Sequence, residues 1–287
     1  MMLFRKRDKP KKEKAVLEFI EEDTMTIQIQ KNEMDQVVLD TAMATDIGTR
    51  SYQQDAAYVA DPLPEEGPAF AILCDGMGGM ESGELASSDV VAFMANQYMD
   101  LDSGKELGGC LEEMALRANE MIYERYVKQG MRVGTTLVST YVQNNQLYWL
   151  SIGDSRIYII RDGEIARLTR DHNYALELQI MVENGKISQE EADTHPKKEA
   201  LVSYIGIDYL NYIDVSRRPL ELLPNDTILL CSDGVTKSLS DDRILEILLA
   251  QGQSLNEEVN RLIATAIDES GGSQDNTTAI LMRYFGT

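Results

Sequence analysis

The sequence predicts a layered α+β fold, and three observations carry the prediction. From Thr41 onward, short apolar segments of strand character alternate with longer segments of helical periodicity. Between 135 and 161 the strands are joined by short turns, Asn144-Asn145 among them, with Asp162-Gly163 after the last, which suggests an antiparallel meander. The strands come in runs with helices between the runs, an order that packs helices against antiparallel sheets. Of 287 residues, 43% are apolar and spread along the chain, so a sizeable core can form.

The elements follow in order. Residues 1–14 hold seven Lys/Arg and two acids. This basic leader reads as a solvated tail, because one short basic run attracts an acidic or lipid surface only weakly at physiological salt. Residues 24–30, TMTIQIQ, alternate and read as a strand. Polar residues continue to Asp40, so 1–40 is expected to be an N-terminal extension and 41–287 one domain. Strands are expected over 42–47, 56–60 and 69–74, and helices over 83–98 and 107–129. Leu111, Met114, Ala118 and Met121 form one stripe of the second helix. Strands over 135–143, 146–152 and 156–161 come next. A helix over 174–184 stops at Gly185, and Ser188 with Glu191 has capping-box spacing for a short helix. A strand over 226–231, helices over 241–250 and 256–269, and a strand over 277–284 complete the chain.

Composition narrows the function. The chain carries 48 Asp+Glu against 27 Lys+Arg, a formal charge of -21. The leader contributes +5 of this, so the rest stands at -26. That acidity opposes a grip on nucleic acid, which needs clustered cations. Two histidines leave little room for a multi-His metal site. Three cysteines without a CxxC pair make neither a zinc ribbon nor a disulfide framework. Cys74 and Cys231 sit in apolar runs and are expected to be buried free thiols. No apolar stretch follows the basic N-terminus, and no run reaches the ~18 residues of a membrane span. A cytoplasmic protein without a transmembrane segment is therefore expected.

The chemistry lies in repeated strand endings. Apolar runs ending at Cys74, Ile152 and Ser232 lead into Asp75-Gly76, Gly153-Asp154 and Asp233-Gly234. Asp275 immediately precedes the last strand, and Asp55 lies between Gly48-Thr49-Arg50 and a strand. One Asp-Gly after a strand is ordinary turn chemistry. Five such carboxylates in one domain would repel one another unless a divalent cation cancelled their charge. Oxygen ligands suit Mg²⁺ or Mn²⁺ rather than zinc, and Gly76 would let its carbonyl approach such an ion. A carboxylate cluster of this kind is the apparatus of a two-metal hydrolase. Arg50 is either a clamp for phosphate oxygens or a structural partner of the acids. The chain has no P-loop, no GxSxG elbow and no HExxH. A triad would need His172 or His195, both in polar stretches expected to be exposed.

These residues, taken together, resemble the metal-dependent protein serine/threonine phosphatases of the PP2C (PPM) family in its bacterial form. The resemblance runs from about Ala44 to Tyr284. It rests on ordered motifs: Gly48-Thr-Arg50 through Asp55, Asp75-Gly-Met-Gly-Gly79 followed by Ser82-Gly-Glu-Leu-Ala86, Gly134-Thr-Thr136, Gly153-Asp-Ser-Arg156, Leu168-Thr-Arg-Asp-His-Asn173, Ser232-Asp-Gly234 and Gly272-Ser-Gln-Asp-Asn-Thr277. It implies a four-layer αββα sandwich, with two antiparallel sheets flanked by helices and two Mn²⁺ or Mg²⁺ ions at one end. Asp75 would bridge both ions and Gly76 would ligate one through its carbonyl. Asp233 and Asp275 would hold the other, and Asp55 would act through water. Asp154 with Asp233 resembles the pair that takes a third, weaker ion. Arg50 matches the phosphate-binding arginine, and a metal-bridging hydroxide would be the nucleophile.

The resemblance also assigns 173–206 to a flap beside the cleft. Gly134, Thr135 and Thr136 read as shaping a strand start, and Asp171 and His172 as making supporting hydrogen bonds. Met77 stands where some members carry a proposed general-acid histidine, and a thioether cannot donate a proton. Two departures stand out. Gln53-Gln54 replaces a common acidic or amide pair, and Ser203 replaces a usual arginine at the end of the flap, which bears on flap anchoring.

The implied function is hydrolysis of phosphoserine and phosphothreonine in proteins, opposing a bacterial Ser/Thr kinase. The rivals are a catalytically weak binding or sensor module on the same fold, and another two-metal phosphoesterase such as a nuclease, which the acidic body disfavours. Oligomeric state is open.

Overall fold

The computed structural model describes residues 39–60, 68–78, 82–101, 106–250 and 254–286. The basic leader and the strand expected over 24–30 lie outside them, as does Gly79.

The chain runs β1 (Leu39–Asp46), β2 (Asp55–Ala60), β3 (Ala69–Gly78), α1 (Ser82–Gln97), α2 (Leu107–Arg125), β4 (Val133–Thr135), β5 (Leu137–Gln143), β6 (Gln146–Ile152), β7 (Arg156–Arg161), β8 (Glu164–Arg167), α3 (Tyr174–Glu183), α4 (Gln189–Asp193), β9 (Asp214–Val215), β10 (Leu220–Glu221), β11 (Thr227–Cys231), α5 (Asp233–Thr236), α6 (Asp241–Leu249), α7 (Leu255–Glu269) and β12 (Thr277–Tyr284). One sheet has the order β1-β12-β11-β7-β8. The other has the order β10-β6-β5-β3-β2, with β4 on β3 and β9 on β6. Every pairing is antiparallel.

The central strands are apolar on both faces, and their phase defines the layers. Ala69, Ala71 and Leu73 of β3 meet Ile228 and Leu230 of β11 and Ile280 and Met282 of β12 in a core between the sheets. The alternate residues Phe70, Ile72 and Cys74 pack under α1 and α2, against Val90, Met94, Leu111 and Ala118. On the other side, Leu229, Cys231, Ala279 and Leu281 pack under α6 and α7. The result is helix, sheet, sheet, helix, as the resemblance implied. A fully buried Leu or Ile contributes roughly 1.5–3 kcal/mol, so double-sided burial holds each strand in one register.

Local signals account for the edges. Asp162 (φ 51°) and Gly163 (φ 79°) make the positive-φ turn between β7 and β8. Ser188 and Glu191 form the reciprocal capping box at α4. Met121 is half-buried against the cluster that buries Leu111, Met114 and Ala118. Cys74 and Cys231 are buried free thiols.

Four details differ from expectation. β1 begins at Leu39, two residues ahead of Thr41. The strand expected over 135–143 is two strands broken at Thr136, whose N–H leaves the ladder to donate to the Asp75 carbonyl (2.9 Å). The helix expected to reach residue 129 ends at Arg125, with a 3₁₀ turn after it. β8 and the short β9, β10 and α5 carry too little periodicity to be read in advance.

Candidate active site

The phase of β3 makes the site. Asp75 lies two residues beyond Leu73, so it shares the face that fills the inter-sheet core. There the apolar filling stops. Asp55, at the start of β2, is the direct cross-strand partner of Asp75. From the facing sheet, Asp233 follows β11 and Asp275 precedes β12, while Asp154 sits in the turn between β6 and β7. Asp75, Gly76, Asp154, Asp233, Asp275, Arg50 and Gln54 all line one cleft of about 420 Å³. Asp55 lies beneath it, 8% exposed. The structure thus brings all seven expected site residues to one end of the sandwich.

Close backbone packing holds them there. Gly48 has φ +63°, and a Cβ on it would lie 2.4 Å from the Asp275 carbonyl oxygen. This contact lets Thr49 bond Gln274 through its N–H (3.0 Å) and hydroxyl (2.9 Å), setting the Arg50 loop beside Asp275. Asn276 closes the same junction. Its amide donates to the Ile47 and Tyr52 carbonyls and its oxygen accepts from the Gln54 N–H. Gly76 has its own packing reason, since a Cβ there would lie 2.3 Å from the Gly83 carbonyl oxygen.

Gly134-Thr-Thr136 does more than start a strand. Thr136 accepts the Asp75 N–H at its hydroxyl (2.9 Å), and Thr135 donates to the Asp75 carbonyl (2.9 Å). Thr136 Oγ1 also meets Ser155 Oγ at 2.8 Å, joining the Asp75 and Asp154 segments.

His172 corrects the expectation of exposure, because it is fully buried. Its Nδ1 accepts the Gly153 N–H (3.2 Å), and its backbone N–H donates to the Gly153 carbonyl (2.9 Å). Nε2 faces Asp214 at 3.4 Å. Burial works against the Asp214 charge, but His172 and Arg170 outweigh it and hold the carboxyl below its usual range. A polar sequence context misled here because the polar neighbours are mutual partners. Asp171 takes a bidentate bond from Arg156 (2.9 and 2.8 Å). Both residues support the site from behind. Ser203 is likewise a buried anchor, donating to the Tyr212 carbonyl at 2.7 Å. Glu199, Leu201 and Tyr204, within the segment 173–206, line the cleft.

The electrostatics are those of uncompensated crowding. Burial, then the charge of Asp55, pushes the Asp75 carboxyl well above its usual value. Burial raises Asp55 to about 6, against hydrogen bonds from Thr278 and Ser232, the latter at 2.8 Å. Burial and Asp233 raise Asp154 to about 7. Asp233 is raised by burial, with Lys237 opposing.

Sequence reasoning overlooked Lys237. Its ammonium lies 2.5 Å from Asp233 Oδ2 and 3.2 Å from Asp275 Oδ2. Arg50 Nη2 bonds that same Asp275 oxygen at 2.8 Å. The available signal was its position, four residues after Asp233 and one turn along a helix.

Two observations test the fit to divalent ions. Among the described residues, no three His, Cys, Asp or Glu side chains are drawn up as a ready cage. The protein's own cations are drawn in instead. However, Asp55 Oδ1 and Asp233 Oδ1 are buried and accept no hydrogen bond. A buried carboxylate oxygen left so is costly, and hard oxygen donors are the ligands Mg²⁺ and Mn²⁺ prefer. The donor set fits such ions. Asp275 would join one only by releasing a present contact, since its Oδ1 also accepts the Asn276 N–H.

Known proteins bear on this arrangement. The sequence profile of the Protein phosphatase 2C family matches residues 48–178. A "Putative protein phosphatase 2C-type" of Streptococcus pyogenes is 32% identical, covering 84% of this chain and 96% of that protein. The Mycobacterium tuberculosis serine/threonine protein phosphatase PstP is 33% identical over 85% of this chain, which spans 45% of that relative's length. A structure of the PstP catalytic domain in complex with two manganese ions superposes with a TM-score of 0.68 at 31% identity, covering 86% of this chain and 99% of that one. The strand-end carboxylates and the helix–sheet–sheet–helix layers therefore have a common source: this chain belongs to the protein phosphatase 2C family.

Proposed function

We propose that the chain is a metal-dependent phosphatase that hydrolyses phosphoserine and phosphothreonine in proteins, opposing a Ser/Thr kinase in the bacterial cytoplasm. The observation that carries this reading is the pair of buried, unbonded carboxylate oxygens among five converging aspartates. Asp75 and the Gly76 carbonyl would hold one Mn²⁺ or Mg²⁺, and Asp75, Asp233 and Asp275 a second, with Asp55 acting through water. When bound, such cations lower the pKa of a water and neutralise phosphoryl oxygens.

The chain's own residues do the rest. Arg50, 57% exposed at its side chain and on the rim of the cleft, offers guanidinium N–H groups to phosphate. Thr135 and Thr136 fix the Asp75 backbone. Met77, which lines the cleft, carries no proton for the leaving alcohol, so that proton comes from water or another group. A second hollow of about 350 Å³ shares Met77, Gly78 and Tyr204 with the cleft. It gives room for polypeptide beside the phosphoresidue and favours a protein substrate over a small phosphate ester. We read 41–287, together with Leu39 and Asp40 of β1, as the catalytic domain and the residues ahead of them as an extension.

The test is turnover of a phosphothreonine peptide and an aryl phosphate with Mn²⁺, with Mg²⁺ and with chelator. Turnover with metal and none with chelator is expected. Turnover that persists in chelator, or fails with every divalent ion, would sink the reading and leave the binding-module alternative.

A further inference from the structure

The hollow that adjoins the cleft is a built feature. It has a volume of about 350 Å³ and shares Met77, Gly78 and Tyr204 with the cleft. Its floor is apolar. Val133 is 6% exposed, and Val127 and Met131 are half-buried against the cluster that holds Ile122. Among the described residues that line it, Arg132 alone is charged, and Arg132 is exposed.

Tyr204 stands on the boundary of hollow and cleft, and backbone contacts on both sides fix it. Ahead of it, Ser203 donates to the Tyr212 carbonyl at 2.7 Å. After it, the Ile205 N–H donates to the Thr135 carbonyl (2.8 Å) and the Thr135 N–H to the Ile205 carbonyl (3.0 Å). The Tyr204 ring lies against Gly134, where a Cβ would fall 2.6 Å from its Cδ2. The N–H groups of Gly206 and Ile207 then donate to the Asn119 side-chain oxygen, at 2.7 and 3.2 Å. The hollow is thus formed before any substrate arrives, which spares the ordering cost of binding.

The β3–β4 ladder sets its distance from the reacting centre. Gly76 pairs with Thr135, and Gly78 pairs with Val133. Gly76 belongs to the proposed metal site, while Gly78 and Val133 line the hollow. The two places are therefore two residues apart, about 7 Å along β3 at ~3.3 Å per residue. An extended peptide returns a side chain to the same face every second residue, over the same distance.

We infer that the hollow takes a large apolar side chain two positions from the phosphoresidue, so that the chain prefers phosphoproteins with Leu, Met or Phe there. The inference rests on the proposed phosphatase function and names its substrate class more closely. Seating such a side chain on Val127, Met131 and Val133 removes apolar surface of both partners from water. The flexible thioethers of Met77 and Met131 adapt to its shape. An acidic side chain would meet Arg132 at the exposed edge and otherwise an apolar floor that cannot solvate it.

The experiment gives the full-length chain, with Mn²⁺, a set of phosphothreonine peptides that are otherwise alike. They carry Leu, Phe, Ala or Glu two positions before or two positions after the phosphothreonine. On one of the two sides, kcat/KM for Leu and Phe should exceed that for Ala by about tenfold. The gain should lie mostly in KM, because the contact is the same in the ground and transition states. Met131→Asp puts a charge on the floor, and Tyr204→Ala removes the boundary wall. Each should bring the Leu-to-Ala ratio close to one. The ratio is taken within one preparation, so loss of folded enzyme cancels from it. A purely structural role for either residue would leave the ratio unmoved.

Equal rates for Leu and Ala on both sides would overturn the inference. So would a preference for Glu, which would make Arg132 the recognition group, and so would a ratio preserved in both variants. If Met131→Asp fails to fold, Tyr204→Ala alone decides. Failure to turn over any peptide with any divalent ion would sink the phosphatase reading itself, whereas even turnover of all of them would sink the pocket only.

Discussion

Strands β11 and β12 carry buried acids at both ends, and the two ends treat them in opposite ways. At the end away from the cleft, Asp226 is 1% exposed and receives two bonds from Arg161, at 2.8 and 2.5 Å. Glu258, on α7 beside the same strand end, takes two from Arg283, at 3.1 and 2.7 Å. Each acid has its own guanidinium. At the other end, five aspartates share Arg50 and Lys237, and two oxygens have no partner. A hollow of about 440 Å³ lies at the paired end and one of about 420 Å³ at the crowded end. Volume does not tell a site from a crevice here, but the pairing of charge does. Paired acids are structure. Unpaired ones, held by a fold that tolerates their cost, are function.

The comparison can be broken at either end. The largest effect should come from Asp75→Asn and Asp233→Asn, each losing activity by on the order of 100-fold or more, as loss of a metal's holding groups does. Removing a raised-pKa acid should leave Tm in chelator unchanged or higher. A fall in Tm would mean that these acids are structural after all. At the opposite end, Arg161→Ala should leave Asp226 buried and alone, costing about 3 kcal/mol of stability. Denaturant unfolding checks this, and a loss under about 1 kcal/mol would erase the contrast between the ends.

A smaller effect is expected at the rim. Arg50→Ala should weaken inhibition by inorganic phosphate about tenfold, with little change in stability because the Arg50–Asp275 pair is exposed. Unaltered phosphate inhibition would return Arg50 to a structural role.

The smallest effect is a matter of pH. Asp55 and Asp154 have folded pKa values of about 6 and about 7, above their ordinary 3.8. A raised carboxyl pKa contributes stability that is full below the unfolded value and is lost as pH rises through the folded one. In chelator, then, these two groups weaken the fold progressively between about pH 4 and 7. The Tm gain on adding Mn²⁺ should be larger at pH 7.5 than at pH 5, and Asp154→Asn should flatten that difference. A gain independent of pH would contradict the crowding.

Much of this was legible in the sequence, for a physical reason. The doubly apolar β3, β11 and β12 announce a buried sheet, and the aspartates that end them inherit a fixed direction from the apolar phase. Asp55, Asp75, Asp154, Asp233 and Asp275 could be named because each adjoins a strand. What could not be read is what depends on partners distant in sequence. His172 looked exposed because its environment is built by Gly153 and Asp214, and Asn276 gave no hint that it bolts the Arg50 loop in place. Lys237 could have been found by helical spacing alone, but α5 is too short to show a period. Ser203 looked like a lost arginine, yet its hydroxyl makes a buried anchor of its own.

The alternation along β3 has a consequence for how this chain can change over time. Leu73 and Asp75 point one way, and Cys74 the other. Deleting a single residue upstream in the strand would turn the carboxylate under the helices and aim a thiol at the cleft. Side chains at the site can be exchanged one at a time, but length cannot. Insertions and deletions should be confined to the connecting loops, where they reshape what enters the cleft and leave its wall of carboxylates in step.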